Sequence, residues 1–112
     1  MNSELEVGLE EARLLAKKGR RIFIISDRMQ DVEFVKEALC ASGPADAIGF
    51  DEARSIASGA GNDNIDLERF SGSIIVCPHG NSSLRFAIAM HARGIRSYSL
   101  NGGIEMLKSW QS

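Results

Sequence analysis

Residues 74–83 read IIVCPHGNSS, and this is the most informative stretch of the chain. A short apolar run ends at Cys77, a proline, a histidine and a glycine follow, and the apolar segment Leu84–Met90 comes soon after. This pattern predicts a strand, a tight loop and a helix, with Cys77 as the first residue of the loop. Backbone N–H groups at a helix N-terminus bind anions and favour a thiolate. The sequence therefore predicts one reactive thiol, Cys77, in an anion-binding loop.

Strands and helices are predicted to alternate along the whole chain. The apolar and β-branched runs predict strands at Ile22–Ser26, Ala47–Phe50, Ser73–Cys77 and Arg96–Leu100. Helical spacing of apolar residues predicts helices at Glu4–Lys18, around Val32, Val35 and Leu39, at Asp51–Ser58 with Asp51 as its cap, at Ser82–Arg93 and at Ile104–Trp110. Two smaller features complete the pattern, a helical turn at Leu67–Phe70 and a loop at Gly59–Asn64. Ser3 and Glu6 are three residues apart, the spacing of a capping box, at the start of the first predicted helix.

This alternation indicates the α/β class, with a short, mostly parallel sheet and helices on both of its faces. Ligands of such sheets bind at the carboxyl ends of the strands. Both Cys77 and Asp27 directly follow predicted strands, so both are expected at that edge. Asp27 is a candidate for the lining of the binding pocket, and a helix cap or an ion pair with Arg28 is the alternative.

Composition and charge limit the classes of function. The chain has 112 residues, 44% hydrophobic and 25% charged, which fits one globular domain over residues 1–112. A net charge of −2 predicts no nucleic-acid partner. The absence of a long apolar run predicts no membrane helix, and the charged N-terminal stretch predicts no secretory signal.

The small numbers of cysteines and histidines bear on disulfides, the cellular compartment and metal binding. Two cysteines, Cys40 and Cys77, are too few for a disulfide framework, so we expect a reduced, cytoplasmic protein. We separately expect a monomer, because no long apolar edge or heptad repeat stands out. Two histidines without short paired spacing to these cysteines predict no metal site, and no motif indicates a cofactor.

Two short sequence motifs resemble those of a known protein family. Residues 77–83 read CPHGNSS and residues 99–104 read SLNGGI, separated by a predicted helix, a glycine and a strand. Their order and spacing resemble those of a rhodanese-like domain, in which an active-site loop C-x-x-G-x-R-S precedes the phrase L-x-G-G-I. The resemblance covers about residues 73–110. Over the first half it is weaker, and only Ser26-Asp27-Arg28 is similar to a D-x-R phrase of the family, at a different spacing.

The resemblance implies a three-layer fold and sulfur-transfer chemistry. In that family a cysteine thiolate takes a sulfane sulfur from thiosulfate or another donor, forms a persulfide and passes the sulfur to a thiophilic acceptor. By resemblance Cys77 would be the nucleophile, and a small anionic donor or a persulfide-bearing protein would be its partner. Six further loop residues would bind the substrate: Pro78, His79, Gly80, Asn81, Ser82 and Ser83.

One departure from the family pattern concerns the charge of the loop. The common loop arginine, which helps to bind anionic donors, is replaced by Ser82. A branch of small single-domain thiosulfate sulfurtransferases resembles this chain in having C-x-H-G-N-S-S. Arg85 lies three residues further along and could lean back toward the loop or face the solvent.

Other interpretations of the same residues are a structural thiol at Cys77 and a solvent-facing His79. Three functions other than sulfur transfer are also compatible with this sequence. The first is a catalytically weak or inactive rhodanese-fold module that binds a partner protein or an anion. The second is a cysteine phosphatase, although its C-x5-R loop would need an arginine where this chain has Ser83. The third is a redox sensor with a Cys40–Cys77 disulfide.

Overall fold

The predicted alternation of strands and helices is confirmed in the computed structural model, which describes residues 5–59 and 66–111. The strands are β1 (Glu6–Val7), β2 (Ile22–Ile25), β3 (Ala45–Ile48), β4 (Ile74–Val76) and β5 (Tyr98–Leu100). The α-helices are α1 (Leu9–Lys17), α2 (Met29–Ala38), α3 (Phe50–Ser58), α4 (Asn81–His91) and α5 (Gly103–Gln111). A 3₁₀-helix at Leu67–Phe70 precedes β4 and confirms the predicted helical turn.

The five strands form one parallel sheet in the order β1-β5-β4-β2-β3. In its register, Ile22 of β2 lies beside both Ala45 of β3 and Ile74 of β4. Because all strands run the same way, their carboxyl ends lie along one edge, here called the carboxyl edge. Cys77 follows directly after the central strand β4, so it lies at this edge, where ligands of parallel sheets bind.

Helices cover both faces of the sheet, as predicted. Side chains of successive strand residues point to opposite faces, which separates Ile22 and Ile24 from Phe23 and Ile25. The first face packs against α1, α2 and α5, and the second face packs against α3, α4 and the 3₁₀-helix. Burial of these apolar side chains on both faces gives a three-layer α/β architecture.

The first predicted helix is wrong over its N-terminal part. We expected a helix from Glu4, but Glu6–Val7 forms β1 at the edge of the sheet, and the helix begins at Leu9. Gly8 is extended (φ −84°, ψ −179°), and the Val7 carbonyl accepts a hydrogen bond from Asn101 N–H at 2.9 Å. Pairing with β5 therefore outweighs the helical pattern of Leu5 and Leu9.

The region around Phe50 also differs from the prediction. The second predicted strand was expected at Ala47–Phe50, but the strand found there, β3, ends at Ile48, and Phe50 is the first residue of α3. Gly49 is the N-cap of α3 and no side chain caps it, so the predicted Asp51 cap is wrong, and Asp51 lies within the first turn. This shift moves the ring of Phe50 from the sheet to the carboxyl edge.

Two predictions fall outside the described residues. These are the capping box, through Ser3, and most of the loop predicted at Gly59–Asn64. Among the helices in residues 5–59 and 66–111, none has the length and apolar character needed to span a bilayer.

Candidate functional site

The thiol of Cys77 lies inside the loop between β4 and α4 and is surrounded by hydrogen-bonding groups. Its Sγ accepts hydrogen bonds from the backbone N–H of Gly80 at 3.1 Å and of Ser83 at 3.2 Å. The thiol also contacts the Ser83 hydroxyl oxygen at 3.3 Å. Cys77 is only 1% exposed. Two backbone donors aimed at one sulfur stabilise negative charge there, as expected for an anion-binding loop.

The loop takes this shape because Gly80 turns the chain into α4. Gly80 is the N-cap of α4 with φ +93°, a left-handed conformation that side chains other than glycine rarely adopt. No side chain caps this helix. Among the described residues, the N–H groups of Asn81 and Ser82 have no hydrogen-bond acceptor, as is usual in the first turn of a helix. They are free to bind an anion near Cys77.

The start of α5 holds the outer side of the loop. The N–H of Ile104 donates to the Cys77 carbonyl and the N–H of Glu105 donates to the Pro78 carbonyl, both at 2.9 Å. In a trans peptide the C=O and N–H point in opposite directions, so the second bond turns the N–H of His79 away from α5. The phrase at residues 99–104 thus fixes the loop that bears the cysteine.

Ser99 is a buried member of the site that sequence analysis missed. Its hydroxyl lies 2.7 Å from that of Ser83, which in turn donates to the Gly80 carbonyl at 3.3 Å. Ser99 is in β5 and lies opposite Ile75 of β4, so it faces the same helix layer as Cys77. The available signal was the two-residue alternation of Ser97 and Ser99 in a predicted strand, but the neighbouring strand was unknown.

The two serine hydroxyls provide a test of this packing by a double-mutant cycle. Ser83→Ala removes the hydroxyl that contacts Ser99 and is expected to cost about 1–3 kcal/mol in the free energy of unfolding. Ser99→Ala is expected to cost about 1 kcal/mol, because the Ser83 hydroxyl keeps its contacts with the Gly80 carbonyl and the Cys77 thiol. The double variant removes both hydroxyls and is expected to cost less than the sum. Urea unfolding of the four proteins measures the coupling, and additive costs would show that the two hydroxyls do not interact.

A cavity of about 350 Å³ opens beside the thiol. It is called the Cys77 cavity and is lined by Phe50, Cys77, Pro78, His79, Asn81 and Ser82. The predicted loop residues are therefore brought together, with Gly80 and Ser83 contacting the sulfur. Phe50 was missed as a site residue because the strand prediction placed it within the sheet. His79 is exposed, and among the described residues no lysine or arginine lines this cavity.

Arg85 and Asp27 lie next to the Cys77 cavity and do not line it. Arg85 lines a neighbouring cavity on the α3 side. Asp27 is exposed and lines another cavity together with Arg28, near the start of α5. Next to Asp27, the Ser26 hydroxyl donates a hydrogen bond to the Asp31 carboxylate at 2.6 Å and accepts one from the N–H of Arg28 at 3.1 Å.

Cys40 lies far from Cys77. It is exposed and follows α2 with φ +53°, before the start of β3. The start of β3 is level with Ile74, whereas Cys77 lies three residues beyond Ile74, about 10 Å along the strand direction. A disulfide needs Cα atoms within about 7 Å, so the Cys40–Cys77 redox sensor is inconsistent with this fold.

The chemistry available at the site is that of a single sulfur nucleophile with backbone N–H donors. Within residues 5–59 and 66–111, no group of three or more histidine, cysteine or acidic side chains could hold a metal ion. Comparison with protein-family models, with curated proteins and with solved structures found no significant match for this chain.

Proposed function

We propose that this chain is a rhodanese-like sulfurtransferase in which Cys77 receives a sulfane sulfur as a persulfide. The observation that supports it most is the pair of N–H groups, from Gly80 and Ser83, that donate to the Cys77 Sγ at the start of α4. The parallel α/β sheet and the Gly102-Gly103 turn against the loop agree with the resemblance of residues 73–110 to that family.

In the first step the Cys77 thiolate attacks the outer sulfur of thiosulfate. A bond forms between Sγ and that sulfur, the S–S bond of thiosulfate breaks, and sulfite leaves with the bonding electrons. The product is a Cys77 persulfide whose negative charge lies on the outer sulfur. The Cys77 cavity has room for this sulfur, and the free N–H groups of Asn81 and Ser82 are the groups that would stabilise it.

In the second step an acceptor nucleophile attacks the outer sulfur. Cyanide would leave as thiocyanate, and a thiolate would leave as a persulfide; in both cases the bond between Sγ and the outer sulfur breaks. The electron pair of that bond returns to Cys77 as a thiolate. The N–H groups of Gly80 and Ser83, which donate to Sγ, stabilise this thiolate. The Ser83 hydroxyl can donate to it as well once it turns away from the Gly80 carbonyl.

Donor binding in this proposal depends on backbone N–H groups, because Ser82 occupies the place of the common loop arginine. Ser82 is exposed and lines the Cys77 cavity, so a larger side chain fits there without disturbing the core. Ser82→Arg is expected to lower the KM for thiosulfate about tenfold by adding a charged hydrogen-bond donor. Initial-rate measurements compare it with Ser82→Gln, which adds length without charge. An unchanged KM in a folded protein would mean that loop charge does not limit donor binding.

The direct test of the proposal is the intact mass of the protein after incubation with thiosulfate. A gain of one sulfur atom that dithiothreitol removes, located on Cys77 by peptide mapping, is the expected result. Cys40 in the same digest is the internal control, since it is the more exposed thiol. No gain from thiosulfate or from a persulfide-bearing cysteine desulfurase would overturn the proposal.

A binding module without catalysis is the second candidate. It is favoured by the 1% exposure of Cys77 and by the lack of a lysine or arginine in the Cys77 cavity over the part of the chain that the structure describes. Such a module would hold an anion or a partner protein at the N–H groups of Asn81 and Ser82. Thiosulfate binding without any gain in mass would select this function.

The proposed function also implies a cellular compartment and partners for the protein. A reactive thiol remains free in a reducing compartment, which favours the cytoplasm. We expect the chain to act as a monomer that meets either a small anionic sulfur donor or a persulfide-bearing protein.

A further inference from the structure

A second cavity, called the arginine cavity, adjoins the Cys77 cavity. The two cavities share Phe50 and Ser82 as lining residues. The arginine cavity has a volume of about 170 Å³ and an apolar inner lining that includes Ile25, Ala53 and Phe86. Two arginines, Arg54 and Arg85, line it as well.

The arrangement follows from two helices packed side by side on one face of the sheet. Arg54 lies four residues after Phe50 in α3, and Arg85 lies three residues after Ser82 in α4. Residues three or four apart share one face of a helix, so each arginine lies about one turn from a residue that borders the thiol site. A ligand could therefore have its sulfur in the Cys77 cavity and its other end at the arginines.

The charges of the two arginines are little compensated. The only acidic group within 4.0 Å of Arg54, among the described residues, is the fully exposed Asp51 at 3.9 Å, and pairs of this kind contribute little. Arg85 has no ion pair or side-chain hydrogen bond within residues 5–59 and 66–111. Two guanidinium groups beside one cavity favour a carboxylate, which each of them can bind with two hydrogen bonds.

We propose that the arginine cavity binds the carboxylate end of an organic thiol that accepts sulfur from Cys77. The acceptor would have a short apolar chain between its thiol and its carboxylate, matching the apolar inner lining of the arginine cavity and the shared Phe50. This inference rests on the proposed function. In the reaction the acceptor thiolate bonds to the outer persulfide sulfur, the bond from that sulfur to Sγ breaks, and Cys77 is released as a thiolate.

The first experiment uses matched pairs of acceptors with thiosulfate as the donor. The pairs are 3-mercaptopropionate with 3-mercaptopropanol, and 6-mercaptohexanoate with 6-mercaptohexanol. The wild-type protein is expected to prefer the acid over the alcohol about tenfold in kcat/KM for at least one chain length. Arg85→Ala and Arg54→Ala are each expected to remove most of this preference. Because the acid-to-alcohol ratio is compared between variants, the intrinsic reactivities of the thiols cancel.

Lys36→Ala is the matched control, since it removes one exposed positive charge on α2, on the other face of the sheet. It is expected to keep the preference, and Arg85→Lys is expected to keep part of it. Equal ratios in the wild type, Arg85→Ala and Arg54→Ala would overturn the inference. Both arginines are exposed, so their replacement leaves the core intact.

A second experiment needs no sulfur chemistry. Hexanoate added to the ¹⁵N-labelled protein is expected to shift backbone amide signals in α3 and α4 near Arg54 and Arg85, and the Arg54→Ala/Arg85→Ala double variant is expected to lose these shifts. Turnover with cyanide reports on the proposed function separately. If cyanide turnover is present but hexanoate causes no shift, the arginine-cavity inference fails alone; if turnover is absent, the hexanoate result still decides whether the cavity binds carboxylates.

Discussion

Cys77→Ala is expected to reduce thiocyanate formation from thiosulfate and cyanide by about 10³-fold or more. The reason is that the proposed reaction passes through a covalent bond to Sγ, and no other thiol lies at the carboxyl edge among the described residues. Thiocyanate is measured over time with the wild type and the variant at equal concentration. Cys77 is buried, so thermal unfolding of the variant must show that the fold is kept.

Cys40→Ala is the matched control for this prediction. It removes the other cysteine, which is exposed and lies at the opposite edge of the sheet, so turnover is expected to stay within about twofold of the wild type. Turnover that survives in folded Cys77→Ala would refute the role of Cys77. Loss of turnover in folded Cys40→Ala would contradict the assignment of the reaction to Cys77 alone.

The sheet could be predicted because its strands are short apolar runs without helical spacing. Ile22–Ile25 and Ile74–Val76 are buried on both faces, and such strands have continuous apolar sequences. Helices between them then require parallel strands. β1 was missed because a two-residue edge strand has almost no pattern of its own, and its formation depends on pairing with β5, about 90 residues away.

The part of the thiol site whose residues lie close together in the sequence could be predicted. Cys77, Gly80 and Ser83 belong to one loop and one helix start, so the sequence alone brings them together. Ser99 and Phe50 reach the same place from other elements, and only the strand order and the start of α3 bring them there.

Arg85 illustrates a further difficulty, because a helical position does not determine where a long side chain goes. The sequence allowed Arg85 to lean toward the loop or face the solvent. In the structure it is exposed and lines the cavity shared with α3, where Arg54 also lies. Arg54, the second arginine of this cavity, belongs to another helix, so no local sequence pattern around Arg85 could have predicted that the two lie together.

Gly103→Ala is expected to destabilise the protein and to prevent sulfur uptake although Cys77 remains. A Cβ at this position would overlap the Cys77 carbonyl oxygen and would lie 2.8 Å from Gly80 N and 2.9 Å from the Pro78 carbonyl carbon. Gly103 also has φ +60°, which adds backbone strain. We expect a loss of about 3 kcal/mol or more in the free energy of unfolding, measured in urea.

Gly94→Ala separates the two causes of this loss. Gly94 has a similar φ of +82°, but a Cβ there would meet nothing within 4 Å, so only the backbone term of about 1 kcal/mol is expected. Equal losses in the two variants would show that the loop yields to the added methyl group.

Mass measurement of Gly103→Ala after thiosulfate treatment tests the role of the N–H groups, because Gly103 borders the loop without lining the Cys77 cavity. If folded Gly103→Ala gains sulfur as fast as the wild type, the loop geometry that directs N–H groups at Sγ is not required for persulfide formation.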